Sequence, residues 1–553
     1  MVAALRAYLL LLVPWVLAGW ILPPPDPVQC SVGGRFNCTV TNTHGSFNDR
    51  KPCRAAEAAY PRTEAELVAA VARAVRERRK AKAATKHSHS FPKLACPGGG
   101  RDGDGTVIST ARLDRVVRVD AARRRITVEG GVLLRELIRE AAAAEDGAAL
   151  LAQLLRGLRR RAPRDGSPRS SLMGKGGAVH EYVVGLRIVT PAGTSEEGGR
   201  LAVVRELGED DPDLNAAKVS LGVLGVVSQV TLQLEPLFKR AVTFVKKESD
   251  ADLAELVATW GRRHEFGEIM WMPGQGTVVL RMDDRVDVST PGDGANNNYG
   301  PRPIADIIRD QEQEDRLQEE GSDDAICRAS RARLTSNELQ GFGFTNDGES
   351  FTGYPIVGYQ HRIQASGACL RGSPGNEEDA GPESACVWDP RIHGTFIHNP
   401  GFSVPLSNAT AFVSDLLRLR DLNGREAFCG LDMHRGGRPL PLRGRPAAHV
   451  DAFDEMEQMA LYKRFPRLRE FLDVKARFDP DGVFSSEWSD QVLGVVEGSP
   501  VFMGPGCAVD GLCTCTEDAH CAPGYVCSSG KVYPEARVCS AAAQPQGAST
   551  AQM

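Results

Sequence analysis

The order of short strands and helices between residues 56 and 237 constrains the fold of this chain more than any other feature. Thr63 and Glu66 form a capping box, and apolar residues at helical spacing follow them, which predicts a helix. A Gly-Gly pair then ends a group of three short apolar strands and precedes a second helix. Because strands and helices alternate at this spacing, the segment predicts an α+β domain. The predicted strands cover residues 106–109, 116–119, 126–129, 183–189 and 226–234, and the second helix covers residues 133–144.

The remainder of the chain predicts a second domain of the same class. A chain of 553 residues is too long for one hydrophobic core and suits two or three domains. From residue 238 onward we expect a separate α+β domain that extends to residue 498. Its predicted strands cover residues 241–245 and 269–273, and its predicted helices cover residues 250–263, 411–419 and 454–463.

The N-terminus and the cysteine content indicate export from the cell. Residues 1–20 contain a short apolar run followed by small residues, the pattern of a cleaved secretory signal; an uncleaved membrane anchor is the alternative. The chain contains 14 cysteines and two N-glycosylation sequons, at Asn37 and Asn408, in agreement with an oxidising compartment. The net charge of −5 gives no reason to expect nucleic acid as a partner. We therefore expect a secreted protein with no stable membrane insertion after cleavage.

Two groups of cysteines lie near the ends of the chain. Cys30, Cys38 and Cys53 belong to a short N-terminal segment, residues 21–55, and three cysteines cannot all pair among themselves. Six more lie in residues 499–553. The repeated C-x-x-C spacing of a zinc site is missing there, so a small disulfide-rich module is favoured and no metal is expected. Six cysteines allow fifteen pairings, and the sequence does not choose among them.

The segment Lys86-His87-Ser88-His89-Ser90 is the first place where the sequence indicates chemistry. A histidine flanked by small hydroxyl residues approaches a planar cofactor with little steric bulk. Its imidazole also has the nucleophilicity needed to attack an activated flavin methyl group. The alternative interpretation is an ordinary polar loop, and this segment alone favours that alternative.

Several longer stretches resemble one known family. They are KHSHSFPKL at residues 86–94, KGGAVHEYVVGLRIVT at 175–190, LGVLGVVSQVT at 221–231, CVWDP at 386–390 and FSSEWSD at 484–490. Together they are similar to the plant L-gulonolactone oxidase-like proteins, a branch of the vanillyl-alcohol oxidase family. The cysteine-rich C-terminal segment also resembles this plant branch.

The resemblance implies a fold and a cofactor. The expected fold is α+β: a two-subdomain PCMH-type FAD-binding domain at residues 56–237, an aldonolactone oxidase-type α+β substrate domain at 238–498, and the disulfide-rich module. The implied cofactor is FAD, carried covalently by a histidine at the position of His89, with His87 the weaker candidate. Glycines at two positions of the third stretch imply a close approach of the backbone to the cofactor. The implied cofactor-binding residues are Lys86, His87, Ser88, His89, Ser90, Gly222, Gly225 and Val226.

Two segments depart from the family pattern. The family has a glycine-rich T-G-x-H-G core just before the position of Ser170, where backbone N–H groups hold the FAD pyrophosphate. Here six arginines fall within residues 156–169 instead. Either these arginines bind the phosphates or the stretch comes from a misread exon, and the abrupt return of the family pattern at Ser170 favours the second. The family's H-W-x-K segment is also missing after Lys463, and loss of its lysine should slow catalysis.

The implied reaction is oxidation of an aldonolactone, L-gulono-1,4-lactone, with oxygen as the acceptor and ascorbate and hydrogen peroxide as products. We expect the substrate pocket between the two large domains, because ligand sites favour domain interfaces. Glu268, Trp271 and His398 are the candidate catalytic residues that line it, chosen for their chemistry and placement.

Two other functions remain open. The first is a secreted relative that has lost FAD and activity, which the two missing segments favour. The second is a flavin dehydrogenase that acts on another polyol or sugar with a different electron acceptor.

Overall fold

A computed structural model describes residues 26–41, 53–86, 94–98, 103–143, 179–193, 200–294, 353–360, 406–424, 467–493, 495, 518, 525–529 and 537–541. The predicted signal at residues 1–20 lies outside these ranges, as do the predicted helix at 454–463 and the departing stretch at 156–169. Within them, no helix is long and apolar enough to cross a membrane.

The first sheet contains five strands and mixes antiparallel with parallel pairing. Its three N-terminal strands are antiparallel neighbours, whereas the last two pair in parallel, which requires a crossover connection. In chain order they are β1 (Val28–Val32), β2 (Phe36–Val40), β3 (Cys53–Ala59), β4 (Ala81–Ala84) and β5 (Thr106–Ser109), arranged side by side as β1-β2-β3-β5-β4.

The crossover from β3 to β4 is the predicted capped helix, α1 (Glu64–Arg76). The Thr63 hydroxyl accepts a hydrogen bond from the Glu66 N–H at 3.2 Å, and the Glu66 carboxylate accepts one from the Arg62 N–H at 2.7 Å. The first bond satisfies an amide group that the first turn of a helix leaves without a partner. The predicted cap at Thr63 is therefore confirmed, whereas the Glu66 carboxylate binds the N–H one residue before the N-cap and not that of Thr63.

Two disulfides lie in this first sheet. Cys30 pairs with Cys38 across the β1–β2 hairpin, and Cys53 pairs with Cys96. The sequence analysis had predicted that one of the three N-terminal cysteines must pair elsewhere or stay free, and Cys53 pairs elsewhere. The hairpin itself was not predicted. The expected boundary between residues 55 and 56 lies inside β3, so the N-terminal segment and the following domain share one sheet.

The second sheet contains five antiparallel strands. Each strand that the sequence predicts in this sheet is present, and its ends lie within two residues of the predicted ends. Two helices accompany it, α2 (Leu134–Ala143) and α3 (Leu214–Ala217). The strands are β6 (Val116–Asp120), β7 (Arg125–Glu129), β8 (Val183–Pro191), β9 (Ala202–Leu207) and β10 (Val226–Gln233), in the order β6-β7-β10-β8-β9.

The third sheet is antiparallel and carries two helices on one face. Apolar side chains from alternate positions of two strands pack against α4 (Leu253–Arg263) and α5 (Leu406–Asn423), with Trp271 and Val413 among the buried residues. The opposite face is called the inner face below. The strands are β11 (Lys239–Lys247), β12 (Glu268–Met272), β13 (Thr277–Val286) and β14 (Ile356–Tyr359), in the order β12-β13-β11-β14.

The C-terminal helices α6 (Leu468–Phe478) and α7 (Glu487–Val492) return to the first two sheets. Phe478 is buried in the core of the second sheet, and Phe484 is buried against α1 and the first sheet. Residues 467–493 therefore pack with the N-terminal half, although the sequence analysis placed them with the substrate domain. The remaining strands, β15 (Tyr525–Ser529) and β16 (Arg537–Ala541), form a hairpin in which Cys527 lies opposite Cys539.

Candidate functional site

A tight turn of unusual backbone geometry precedes β10. The Val223 N–H donates to the Ser220 carbonyl at 2.9 Å, and the two residues between them, Leu221 and Gly222, have φ angles of 50° and 66°. Positive φ at both central residues defines a type I′ turn. Leucine rarely adopts this conformation, so the surrounding structure must hold the turn in place. Residues 220–225 are called the glycine turn below.

The two glycines of the glycine turn are required for different reasons. An added Cβ at Gly225 would lie 2.3 Å from the Val189 carbonyl oxygen, and φ there is 148°. Gly225 is therefore needed by the packing of the protein itself. Gly222 needs its positive φ, but no atom of the described residues lies within 4 Å of an added Cβ. Space beside an exposed backbone fits the close approach of a planar cofactor, as predicted for Gly222. Val226, the third predicted contact, is buried as the first residue of β10.

Two buried lysines lie against the glycine turn. Lys82, on β4, donates from Nζ to the Gly222 carbonyl at 3.3 Å. Lys475, on α6, donates to the Val223 carbonyl at 3.4 Å and to Asp479 at 3.3 Å. Both side chains are almost completely buried. Segments from three distant parts of the chain thus meet at one short turn.

The electrostatics of this cluster are shaped by burial. Burial, with the nearby Lys475 charge, lowers the pKa of Lys82 from 10.5 to about 7. Burial also raises the pKa of Asp479, whose carboxylate accepts hydrogen bonds from the Val483 and Phe484 N–H groups at 2.7 and 2.9 Å. The cluster therefore holds an amine that changes its charge near neutral pH.

The predicted flavin segment follows directly from β4. Lys86 is half-exposed and lies 3.7 Å from Asp114. The other four members, His87, Ser88, His89 and Ser90, lie outside the described residues. The chain is described again at residues 94–98, where the Cys53–Cys96 disulfide fixes it and Gly98 packs against the backbone of Ser486. The described residues on either side of residues 87–93 thus contact the first sheet or its neighbours.

The predicted catalytic residue Glu268 lies on the inner face of the third sheet. Its carboxylate is 3.1 Å from Arg281, which also pairs with Asp283. Asp283 receives a second guanidinium, that of Arg240, at 2.7 Å, and Arg240 donates to Gln360 at 2.9 Å. Arg240, Arg281 and Asp283 are each no more than 1% exposed. Glu268 is thus one end of a buried charge network on the face that α4 and α5 leave uncovered.

The other two predicted catalytic residues differ from Glu268 in placement. Trp271 lies on the opposite face, 4% exposed, in the core against α4 and α5. Its indole N–H donates to Asp250 at 2.9 Å. Side chains alternate between the faces of a strand, so the odd spacing from Glu268 separates the two. This placement is that of a packing residue and does not support a pocket role for Trp271. His398 lies outside the described residues.

The sequence analysis did not identify the lysine pair or the Arg240–Asp283 network. A single lysine in the otherwise apolar strand Ala81–Ala84 is the signal that marks Lys82, whereas nothing local distinguishes Lys475 from the other charged residues of α6. Within the described ranges, no group of three or more His, Cys, Asp or Glu side chains is placed to hold a metal ion.

Two family descriptions match the chain. The family described as "FAD binding domain" matches residues 55–199, and "L-gulonolactone oxidase 2-like, C-terminal domain" matches residues 504–541. The first match runs from β3 to β8 and leaves out β1 and β2 of the first sheet. The second match covers the C-terminal cysteine-rich segment.

Full-length relatives come from a plant. "Probable L-gulonolactone oxidase 6" of Arabidopsis thaliana is 41% identical over 576 residues, covering 94% of this chain and 92% of the relative. "L-gulonolactone oxidase 5" of the same organism is 40% identical over 569 residues and covers 94% of both chains. A more distant match, "L-gulono-1,4-lactone dehydrogenase" of Mycobacterium tuberculosis, is 35% identical over 194 residues, covering 34% of this chain and 39% of the relative.

One solved structure covers most of the chain. "Solvent-stable cholesterol oxidase" has a TM-score of 0.53 at 13% identity and covers 86% of this chain and 100% of its own. At this identity the likeness shows a shared fold alone.

Proposed function

Because the chain belongs to the L-gulonolactone oxidase family, as an FAD-dependent aldonolactone oxidoreductase, we propose that it oxidises L-gulono-1,4-lactone with oxygen as the electron acceptor. The observation that carries the proposal is identity of about two fifths to L-gulonolactone oxidases over 94% of the chain. The products are ascorbate, after tautomerisation of the 2-keto lactone, and hydrogen peroxide.

The reaction removes two electrons and two protons from the lactone. FAD, when bound, would supply the two-electron redox chemistry of this oxidation. The chain's own residues bind and orient the reactants. Gly222 is the described residue that fits a close approach of FAD, because its conformation requires glycine and its missing Cβ faces open space.

Covalent attachment of FAD to His89 is part of the proposal. His89 lies seven residues after Lys82, in the segment that follows β4 in the sequence, and Lys82 itself donates to the Gly222 carbonyl of the glycine turn. A covalent bond would retain the cofactor in a protein that works outside the cell, where lost FAD is not replaced.

Secretion is also proposed. The apolar run within residues 1–20 has the length and the small flanking residues of a cleaved signal. The Cys30–Cys38 and Cys53–Cys96 disulfides support an oxidising compartment, because such bonds are rare in the reducing cytosol. Among the sequons, Asn408 lies exposed near the start of α5, where a glycan would meet no packing obstacle.

A second function is a dehydrogenase that uses an acceptor other than oxygen. It is favoured by the name of the mycobacterial relative, a dehydrogenase of the same lactone. A third, loss of FAD and activity, is favoured by the absence of T-G-x-H-G and H-W-x-K segments from the sequence.

The test begins with an absorption spectrum of the secreted protein and of its acid-precipitated pellet. Flavin bands that stay in the pellet would support a covalent bond, and His89→Ala should release the flavin into the supernatant while His87→Ala should not. Peroxide formed in air with L-gulono-1,4-lactone supports the oxidase. Reduction of an artificial acceptor without peroxide would support the dehydrogenase, and a folded but colourless protein would contradict both.

A further inference from the structure

Three buried charged residues lie next to the glycine turn: Lys82, Lys475 and Asp479. Packing alone does not require charged side chains there. Lys82 and Lys475 are both buried, and the Lys475 charge disfavours the ammonium form of Lys82 through like-charge repulsion. Apolar residues of similar volume commonly replace buried ionic groups without loss of stability. The two lysines therefore need an explanation other than filling space.

Their hydrogen bonds provide that explanation. The two ammonium groups donate to successive carbonyls of one turn, Gly222 at 3.3 Å and Val223 at 3.4 Å. Holding both carbonyls fixes the two peptide planes that follow Gly222, and with them the C-terminal side of a turn whose φ values of 50° at Leu221 and 66° at Gly222 are rarely adopted freely. Around the position of a Cβ at Gly222, no atom of the described residues lies within 4 Å.

We propose that Lys82 and Lys475 are positioning residues for the cofactor, which together hold the glycine turn so that Gly222 faces FAD. The inference deepens the proposed function, since it rests on FAD binding at this turn. Lys82 also ties the turn to β4 and so to the flavin segment that begins at Lys86. Lys475, held by Asp479 at 3.3 Å, ties the same turn to α6.

A neighbouring lysine provides a matched control. Lys80 lies two residues before Lys82 and donates to the Gly482 carbonyl at 2.5 Å, so it holds the turn after α6 and not the glycine turn. Lys80→Met removes a comparable side chain and a comparable hydrogen bond from the same edge of the fold.

The experiment compares Lys82→Met, Lys475→Met and Lys80→Met with the wild-type protein. Two readouts are taken. The first is the molar ratio of total flavin to protein, with covalent and non-covalent flavin counted together. The second is the visible circular dichroism of the bound flavin. Loss of one hydrogen bond to a buried partner predicts about tenfold weaker binding of FAD before any covalent bond forms, so less flavin is incorporated. The Lys82 and Lys475 variants should therefore hold far less flavin, with altered dichroism in what remains, while the Lys80 variant should match the wild type.

If the Lys82 and Lys475 variants have the flavin ratio and the dichroism of the wild type, this inference is overturned while the proposed function stands. The same holds if Lys80→Met loses as much flavin as they do. If a methionine variant does not fold, the Lys82→Gln and Lys475→Gln variants, which keep a shorter N–H donor, take its place. Their flavin ratio should be lower than that of the wild type and of Lys80→Met, and a wild-type ratio would contradict the inference. A colourless wild-type protein would instead overturn the proposed function and this inference together.

Discussion

Replacing Lys82 with methionine should change how the stability of the protein depends on pH. In the folded chain its pKa falls from 10.5 to about 7, because burial and the Lys475 charge disfavour the ammonium form. The other charged groups that face it are Asp479 and Asp490, which favour the ammonium, and Lys80, which opposes it. Between these two pH values the unfolded chain holds a proton that the folded chain has released.

The sign and magnitude follow from proton linkage. Because the unfolded state binds more protons in this window, the free energy of unfolding rises with pH from about 7 upward. The full pKa shift of Lys82 corresponds to at most ~5 kcal/mol in the free energy of unfolding. Of this, ~2–3 kcal/mol is gained between about pH 7 and about pH 9. Below about pH 7 the folded and the unfolded state both hold the proton. The destabilisation caused by burying the Lys82 charge therefore has its full value there.

Urea unfolding at several pH values measures the effect in the wild type, Lys82→Met and Lys80→Met. The difference between the wild type and Lys82→Met isolates Lys82 from the other groups that titrate in this range. That difference should shift in favour of the wild type by ~2–3 kcal/mol as the pH rises from about 7 to about 9. A difference that stays constant with pH, or one that Lys80→Met reproduces, would refute the reasoning.

Three further predictions concern stability and can be checked by thermal or urea unfolding. Gly225→Ala should destabilise the protein by at least ~2 kcal/mol, because the added Cβ would lie 2.3 Å from a backbone oxygen and φ there is 148°. The control Gly208→Ala should be nearly neutral, since a Cβ there meets no atom of the described residues within 4 Å. Equal losses of stability in the two variants would contradict this prediction. Asp283→Ala should lose ~3–5 kcal/mol, since two buried guanidinium groups lose their shared partner, and a near-neutral result would show that the network contributes little. Replacing Cys53 and Cys96 by serine should lose ~4 kcal/mol, the value for a closed loop with a separation of 43 residues, and full retention of stability would argue against the bond.

Local patterns in the sequence predicted much of the fold. Four strands of the second sheet were predicted from apolar runs bounded by Gly or polar residues, whereas β9 (Ala202–Leu207) was missed. The β1–β2 hairpin was missed although VQCSV and FNCTV alternate apolar and polar residues, because each strand has only five residues and a cysteine at its centre. Residues 467–493 were placed in the wrong half of the molecule, because sequence order carries no information about a helix that returns to an earlier core.

Long-range contacts account for what the sequence could not predict about the site. Gly222 and Gly225 were identified from the resemblance, but only the structure separates a glycine needed for packing from one that faces open space. Lys82 and Lys475 are nearly four hundred residues apart in the chain, and no local pattern brings them together. Likewise, the choice of Trp271 as a pocket residue could not take account of which face of β12 the helices cover.

The central claim, that this chain is an FAD-dependent oxidase of an aldonolactone, is tested most directly by anaerobic titration of the purified protein with L-gulono-1,4-lactone. The visible flavin band is followed during the titration, and air is then admitted. The account predicts that the band bleaches in proportion to added lactone and returns on exposure to oxygen, with formation of hydrogen peroxide. A flavin band that the lactone leaves unchanged, in a protein that stays folded, would contradict it.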